Sequence, residues 1–202
     1  MSIVDKAREK YEQYEKQHEE IIRAATKVFA ETNYDVGTMA MIAKEAGISE
    51  AMLYKHFDGK KELFITCFNR IIEELMSRYR ECYLRNPDDP LRYLEDSAVA
   101  YVEYIKTSSG GSKYFSHLLS STYDPELKKP LVDYFKASVD TVKKALDRAR
   151  EAGDLRDNLD TELLAWDYVG QYYSLILAKE MGMESMLDEE RVSAFVRAIF
   201  KR

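Results

Sequence analysis

The chain runs to 202 residues, 46% of them hydrophobic and 33% charged, with a formal net charge of −6. That is enough apolar material for a real core, as one domain or as a small domain joined to a larger one. The acidic balance excludes a broadly basic surface that coats polyanions, while leaving room for a small local basic site.

Only four prolines and eight glycines interrupt a sequence rich in Leu, Ala, Glu and Lys, which predicts an all-α protein. Residues 3–20 are dense in charge, with Ile3, Ala7, Tyr11, Tyr14 and His18 at helical spacing, and read as added helical turns leading into the first helix or as a frayed tail. A first helix follows from about Glu19 to Glu31 on the apolar face of Ile21, Ile22, Ala25, Val28 and Phe29, broken by Asn33 to Gly37. Thr38 is suited to cap a second helix that runs to Ala46, and Gly47 supplies the left-handed position that ends it. Ser49 caps a short helix from Glu50 to His56. Asp58 or Gly59 caps the next, which begins at Lys60 and continues to about Tyr83 along Leu63, Phe64, Phe68, Ile71, Leu75 and Tyr79.

Asn-Pro-Asp-Asp-Pro at Asn86 to Pro90 is the clearest break in the chain. Beyond it the pattern predicts helices over 91–106 and 113–121, separated by a Ser-Ser-Gly-Gly loop at Ser108 to Gly111. Another runs from Asp124-Pro125 to Ala152, with Pro130 restarting or kinking it. Helices over 160–181 and 188–201 close a list of nine or ten, with no credible strand.

Ile42, Ala43, Ala46, Ile48, Leu53 and Phe57 form the apolar set that would pack two short helices against the first, with Gly47 allowing the sharp turn of a helix-turn-helix. The second short helix then projects. Its start presents Ser49, Glu50 and Ala51 to base edges, and Tyr54, Lys55 and His56 reach towards flanking phosphates. Lys60 and the free amides at the start of its helix make a further phosphate site.

The phrase from Thr38 to Leu63 resembles the DNA-binding domain of the TetR family of bacterial and archaeal transcription regulators. The matching residues are Thr38, Ile42, Ala43, Ala46, Gly47, Ile48, Ser49, Leu53, Tyr54, His56, Phe57, Lys60 and Leu63, and the stretch Ala24 to Asp35 looks like that family's first helix. The resemblance implies phosphate contacts from Thr38, Tyr54, His56 and Lys60, and base or near-base contacts from Ser49, Glu50, Ala51 and Lys55. It also implies a homodimer, a palindromic DNA operator, a small-molecule effector and, most often, repression. Met39, Ala40 and Met41 depart from the polar or basic residues usual after the threonine, and Met52 replaces a commoner threonine. Between Gln17 and Arg70 there are seven Lys/Arg (23, 27, 44, 55, 60, 61, 70) against eight Asp/Glu (19, 20, 31, 35, 45, 50, 58, 62). Few phosphate contacts and a shallow salt dependence are therefore expected. That count also supports the alternative, a helical protein-interaction module that uses the helix-turn-helix face without specific DNA binding.

The division expected is 1–18 extension, 19–66 helix-turn-helix DNA-binding domain, and 67–202 ligand-binding and dimerisation domain. In the last, Leu163 to Ala178 is apolar nearly all round except for Asp167, Gln171 and Ser174, and the final helix carries Ala194 and Ala198 on a second face. Helices of this kind need two partners, which predicts a dimer interface with Gly170 allowing close approach. Of fifteen tyrosines, Tyr101, Tyr104, Tyr114, Tyr123, Tyr134, Tyr168, Tyr172 and Tyr173 fall here, a lining suited to a lipophilic or aromatic effector. The candidate lining is Met76, Tyr79, Tyr101, Tyr134, Tyr168 and Tyr172, with Asp167 and Gln171 as polar orienting groups unless their stripe faces solvent. The lone His117 is read as no ligand.

No catalytic motif is present: no G-x-S-x-G, P-loop, dinucleotide fingerprint or metal-spaced His/Cys set, so no enzyme, cofactor or metal is expected. Cys67 and Cys82 are too few for a disulfide framework. No run approaches the ~18 apolar residues of a membrane span, and no signal-peptide core follows Met1, which predicts a cytoplasmic protein without a membrane partner.

Overall fold

A reciprocal capping box opens the chain: Ser2 Oγ accepts from the Asp5 amide at 3.1 Å while the Asp5 carboxylate accepts from the Ser2 amide at 2.7 Å. It starts helix α1 (Ile3–Thr32), which is continuous, so the N-terminal segment is helix rather than frayed tail. The computed structural model describes residues 2–108, 110–120, 124–156 and 158–200, without the side chains of Ile3, Leu119 and Ser120. Ser109 of the predicted loop, Tyr123 and the expected helix ends at Ser121 and Lys201 lie outside the described residues.

Asn33 ends α1 in the left-handed region at φ 75°, and its Oδ1 accepts from the Asp35 and Val36 amides at 2.9 and 3.1 Å. Then come α2 (Met39–Ala46), α3 (Glu50–Leu53) and α4 (Lys60–Arg85). α3 is shorter than the sequence predicts. The Lys55 and His56 amides bond three residues back, to Met52 and Leu53, which tightens the last turn and swings Phe57 into the core. The rest of the chain is α5 (Pro90–Thr107), α6 (Gly111–Ser120), α7 (Pro125–Glu151), α8 (Thr161–Glu180), a 3-10 turn at Glu184–Leu187 and α9 (Glu189–Phe200). α7 passes through Pro130 without restarting. The fold is all-α, and no strand occurs among the described residues.

α1 packs on α2, α4 and α6; α5 lies against α4, α7, α8 and α9; α7 pairs with α8. One core runs through all of them, from Ile21 to Phe200. α4 carries it across the expected boundary at residue 66 without a break, with Leu63 and Phe64 on one side and Ile71 and Leu75 on the other. α6 is fastened at both ends of this junction. Its Tyr114 hydroxyl donates to the Phe64 carbonyl, and His117 Nε2 stands 3.1 Å from the Ala30 carbonyl of α1. At the far end, α9 is pinned to α5 by Glu95. Its buried carboxylate accepts from Arg197 at 2.5 Å and from Arg92 at 3.3 Å, and the Ser193 hydroxyl donates to it as well.

Two glycines frame the helix-turn-helix for different reasons. Gly47 sits at φ 68° with open space around it, so it is needed for its backbone conformation. A Cβ on Gly37 would stand 2.9 Å from the Phe29 ring and 3.1 Å from the Asn33 carbonyl, so there it is space that is lacking. Gly47→Ala should therefore cost about 1 kcal/mol in urea unfolding, and Gly37→Ala about 1–3 kcal/mol because the fixed ring and backbone must move. A larger loss at Gly47 than at Gly37 would contradict this distinction.

Candidate nucleic-acid interface

The buried side chains of Ile42, Ala43, Leu53 and Phe57 clamp α2 and α3 onto α1. Thr38 Oγ1 accepts from the Met41 amide and Ser49 Oγ from the Met52 amide, each at 3.2 Å, which sets where both helices begin. What remains outward is a continuous face of Ser49, Glu50, Ala51, Tyr54 and Lys55, all exposed, with Thr38 exposed at the start of α2. Tyr54 stands out 53% exposed, a large ring held in solvent.

The charge on this face is sparse. Lys44 and Lys55 are exposed and pair with no carboxylate among the described residues. Lys27 is tied to Glu45 at 2.7 Å. Lys61 is held by Asp124 at 2.9 Å and Glu126 at 2.6 Å, hydrogen bonds that push its pKa up and keep it charged. Lys60, expected to meet a phosphate, instead donates to the Tyr34 carbonyl at 2.9 Å and lies 4.4 Å over the Tyr34 ring. It stitches α4 to the loop after α1. Gly59 caps α4 without a side chain, which leaves the first amides of that helix available.

His56 is likewise engaged within the fold. The expectation was a phosphate contact, but the ring is 8% exposed and faces inward. Its Nε2 is 3.0 Å from Gln17 Oε1, and the Tyr14 ring stacks on it at 4.2 Å. Next to it His18 stacks on Phe57 at 4.5 Å. The N-terminal continuation of α1 thus braces the end of the recognition turn. The signal was present in the sequence as Tyr14, Gln17 and His18 at i, i+3 and i+4.

Burial, and then the neighbouring His18, hold the His56 pKa below its ordinary 6.5, with Glu15 acting the other way. The folded protein therefore keeps His56 neutral, and the unfolded chain binds the proton more readily. Stability from this group is complete above 6.5 and is lost as pH falls below it. The thermal midpoint should drop between pH 7 and pH 5.5, and His56→Gln should flatten that drop. Parallel pH profiles for the two proteins would show that His56 is not the group responsible.

In the larger half, a cavity of about 110 Å³ lies among α4, α5, α7 and α8. Met76, Tyr79, Tyr134, Tyr168 and Tyr172 of the candidate lining share it. Tyr101 sits behind, its ring 4.2 Å from that of Tyr172. Asp167 and Gln171 are not in it. They are exposed on the outer side of α8, beside Phe195 and Ile199 of α9, so their stripe is the solvent-facing one. Sequence reasoning missed Tyr93 and Ser97 on α5 and Ser138 and Thr141 on α7, whose spacings of four and three put each pair on one helix face. A wider groove of about 1080 Å³ runs along α1 and α6, open to solvent and rimmed by charges of both signs.

Residues 21–67 match the family model described as bacterial regulatory proteins, tetR family. The HTH-type transcriptional activator FasR of Mycolicibacterium smegmatis is 33% identical over 92 residues, 46% of this chain and 42% of FasR. The HTH-type transcriptional regulator YhgD of Bacillus subtilis is 25% identical over 183 residues, 87% of this chain and 90% of YhgD. Among solved structures, a SmeT–triclosan complex superposes with a TM-score of 0.76 at 22% identity, covering 92% of both chains, a likeness of fold. Caps, turn glycine and buried clamp thus stand inside the matched segment, which is similar to the helix-turn-helix part of the tetR family, and the whole chain shares the fold of solved TetR-type regulators.

Proposed function

We propose that this protein is a transcriptional regulator that binds a palindromic DNA operator as a homodimer and is released from it by a small lipophilic effector. The observation that carries the reading is the unobstructed face of Ser49, Glu50, Ala51, Tyr54 and Lys55, held rigid from behind by Leu53 and Phe57. A face that small reads few base pairs, so useful specificity calls for two copies on two half-sites. In this reading Glu50 accepts from a cytosine N4 and repels guanine edges, while Lys44 and Lys55 meet phosphates. Thr38 and Tyr54 add uncharged phosphate contacts. Residues 19–66 would form the DNA-binding unit and 67–202 the unit that senses and dimerises, sharing α4.

The outer face of α8 supports the dimer. Leu163 is 61%, Trp166 49% and Leu177 59% exposed, in one stripe of α8, and on α9 Phe195, Ala194 and Ala198 are exposed as well, with Phe195 next to Asp167 and Gln171. So much apolar surface on one face is a signature of an interface. A Cβ on Gly170 would meet nothing within 4 Å, so the middle of the stripe is a notch in which a second helix can lie close.

Coupling to the effector runs through α4. It is 26 residues long, roughly 39 Å, and joins the cavity side chains Met76 and Tyr79 to Lys60 beside the recognition turn. A ligand that shifts one end moves the other and alters the spacing of the two recognition helices. A tenfold loss of operator affinity needs about 1.4 kcal/mol of differential binding between the two states.

Ala198→Glu should bury like charges across the dimer and leave a monomer in sedimentation, where the wild type is a dimer at micromolar concentration. A wild-type monomer would sink the proposal. Selection of random DNA by the wild type should enrich a palindrome, and Glu50→Ala should change the tolerated base at one position of each half-site. If the preference is untouched, Glu50 does not read sequence. With two unpaired lysines per half-site, log affinity should fall against log salt with a slope of roughly −4. A slope several units steeper would mean that phosphate contacts come from elsewhere.

A further inference from the structure

The cavity beneath α4 is unusual in its chemistry. Among the described residues no charged side chain lines it. Its polar groups are hydroxyls, and four of them are occupied. Tyr168 donates to the Leu94 carbonyl at 2.5 Å, Tyr172 to Tyr168 at 3.0 Å, Ser138 to the Tyr134 carbonyl at 2.9 Å and Thr141 to the Ala137 carbonyl at 2.8 Å. Two others are not. The Tyr79 and Ser97 hydroxyls are buried and complete no hydrogen bond of sound geometry, although Tyr172 neighbours the first and Tyr93 the second. They come from different helices, α4 and α5, and both line the one cavity. A buried hydroxyl without a partner is costly, and a ligand that bonds it removes that cost.

Size and charge narrow the ligand further. About 110 Å³ is of the order of the ~150 Å³ apolar cavity that takes up benzene. A carboxylate or phosphate would lose its hydration there with no cation to meet it. The tyrosines cannot supply charge of their own. Burial raises Tyr79 and Tyr168 well above the ordinary phenol range and pushes Tyr134 up to about 12.

Resting on the regulator reading above, we infer that the effector is an uncharged, single-ring aromatic carrying a hydroxyl or carbonyl, bound through the Tyr79 and Ser97 hydroxyls. The ring takes the apolar space beside Met76 and Val142, and its one polar group meets the two unpartnered hydroxyls. Ionised ligands, free fatty acids and coenzyme thioesters among them, are excluded by the uncharged lining.

The test uses the full chain without DNA and three probes of similar ring size: phenol, toluene and benzoate. Phenol stays neutral at pH 7, because its pKa is about 10 like that of a tyrosine side chain, whereas benzoate is ionised. Calorimetry should show phenol binding more tightly than toluene, and no binding of benzoate. In the double variant Tyr79→Phe/Ser97→Ala the preference for phenol over toluene should fall about fivefold, the worth of a lost net hydrogen bond. The variant removes unpartnered buried hydroxyls, so it should fold at least as well as the wild type, and toluene binding reports that the cavity is intact. Benzoate binding as tightly as phenol, an unchanged phenol preference in the variant, or no ring probe binding at millimolar concentration would each overturn the inference. An operator titration separates it from the regulator reading. Phenol that binds as expected yet leaves DNA affinity unchanged defeats the effector role and leaves the ligand class standing. Release from DNA by an ionised ligand, with phenol inert, does the reverse.

Discussion

The two halves of the molecule are packed together at the ring of Phe64. It is fully buried in α4 and touched on three sides: by Phe29 of α1 and Tyr34 of the following loop, edge-on at 4.9 Å each, and by Tyr114 of α6, stacked at 4.8 Å. The Tyr114 hydroxyl also bonds the Phe64 carbonyl, so ring and backbone are gripped together. Close-packed interiors of this kind do not deform smoothly; they move as a block or repack. α1, the α1–α2 loop, α4 and α6 therefore form one body at this point. In the proposed mechanism, a displacement of α4 at Tyr79 would reach the recognition turn through this body.

The same rigidity explains the use made of cations near the DNA-facing side. Lys60 bonds the Tyr34 carbonyl and covers the ring that packs on Phe64, while Lys61 bridges to Asp124 and Glu126 at the start of α7. Both hold the start of α4 against its surroundings. Lysines that serve this purpose are withdrawn from the pool that meets phosphate. In the proposed mechanism, affinity then depends less on general attraction to DNA than on base contacts at α3, which are short-ranged and sensitive to its placement. A regulator built so can be switched by a small movement.

How much of this was legible depended on the range over which each feature is determined. Thr38, Ser49 and Gly47 act on amides and dihedrals within three residues, so caps and turn could be read directly, and the helix order followed from the 3.6-residue pattern. His56 and Lys60 could not be placed in that way. The partner of His56 is Gln17, 39 residues away, and that of Lys60 is a backbone carbonyl 26 residues away. A side chain read as outward from its own helix was claimed by another segment. Asp167 and Gln171 show the converse limit. Periodicity put them on one line of α8, yet whether that line faces a cavity or solvent depends on the placement of α7 and α9. The tyrosines were easier, because four helices converge there and large amphipathic rings have few other places to go.

That convergence also limits how the cavity can respond. Tyr168 and Tyr172 lie one turn apart on α8, and their hydroxyls bond to each other and to α5 through the Leu94 carbonyl. This wall of the cavity is tied. Met76 and Tyr79 on the α4 wall have no such tie, since the Tyr79 hydroxyl completes no bond and Met76 is a flexible thioether. In the proposed mechanism, a ligand pressing outward would act on α4, the helix that leads through Phe64 to the recognition turn. The outer face of α8, where the proposed dimer contact lies, belongs to the fixed wall. Movement on one side and fixity on the other would turn a local expansion into a change in distance between two recognition helices, rather than a loosening of the dimer.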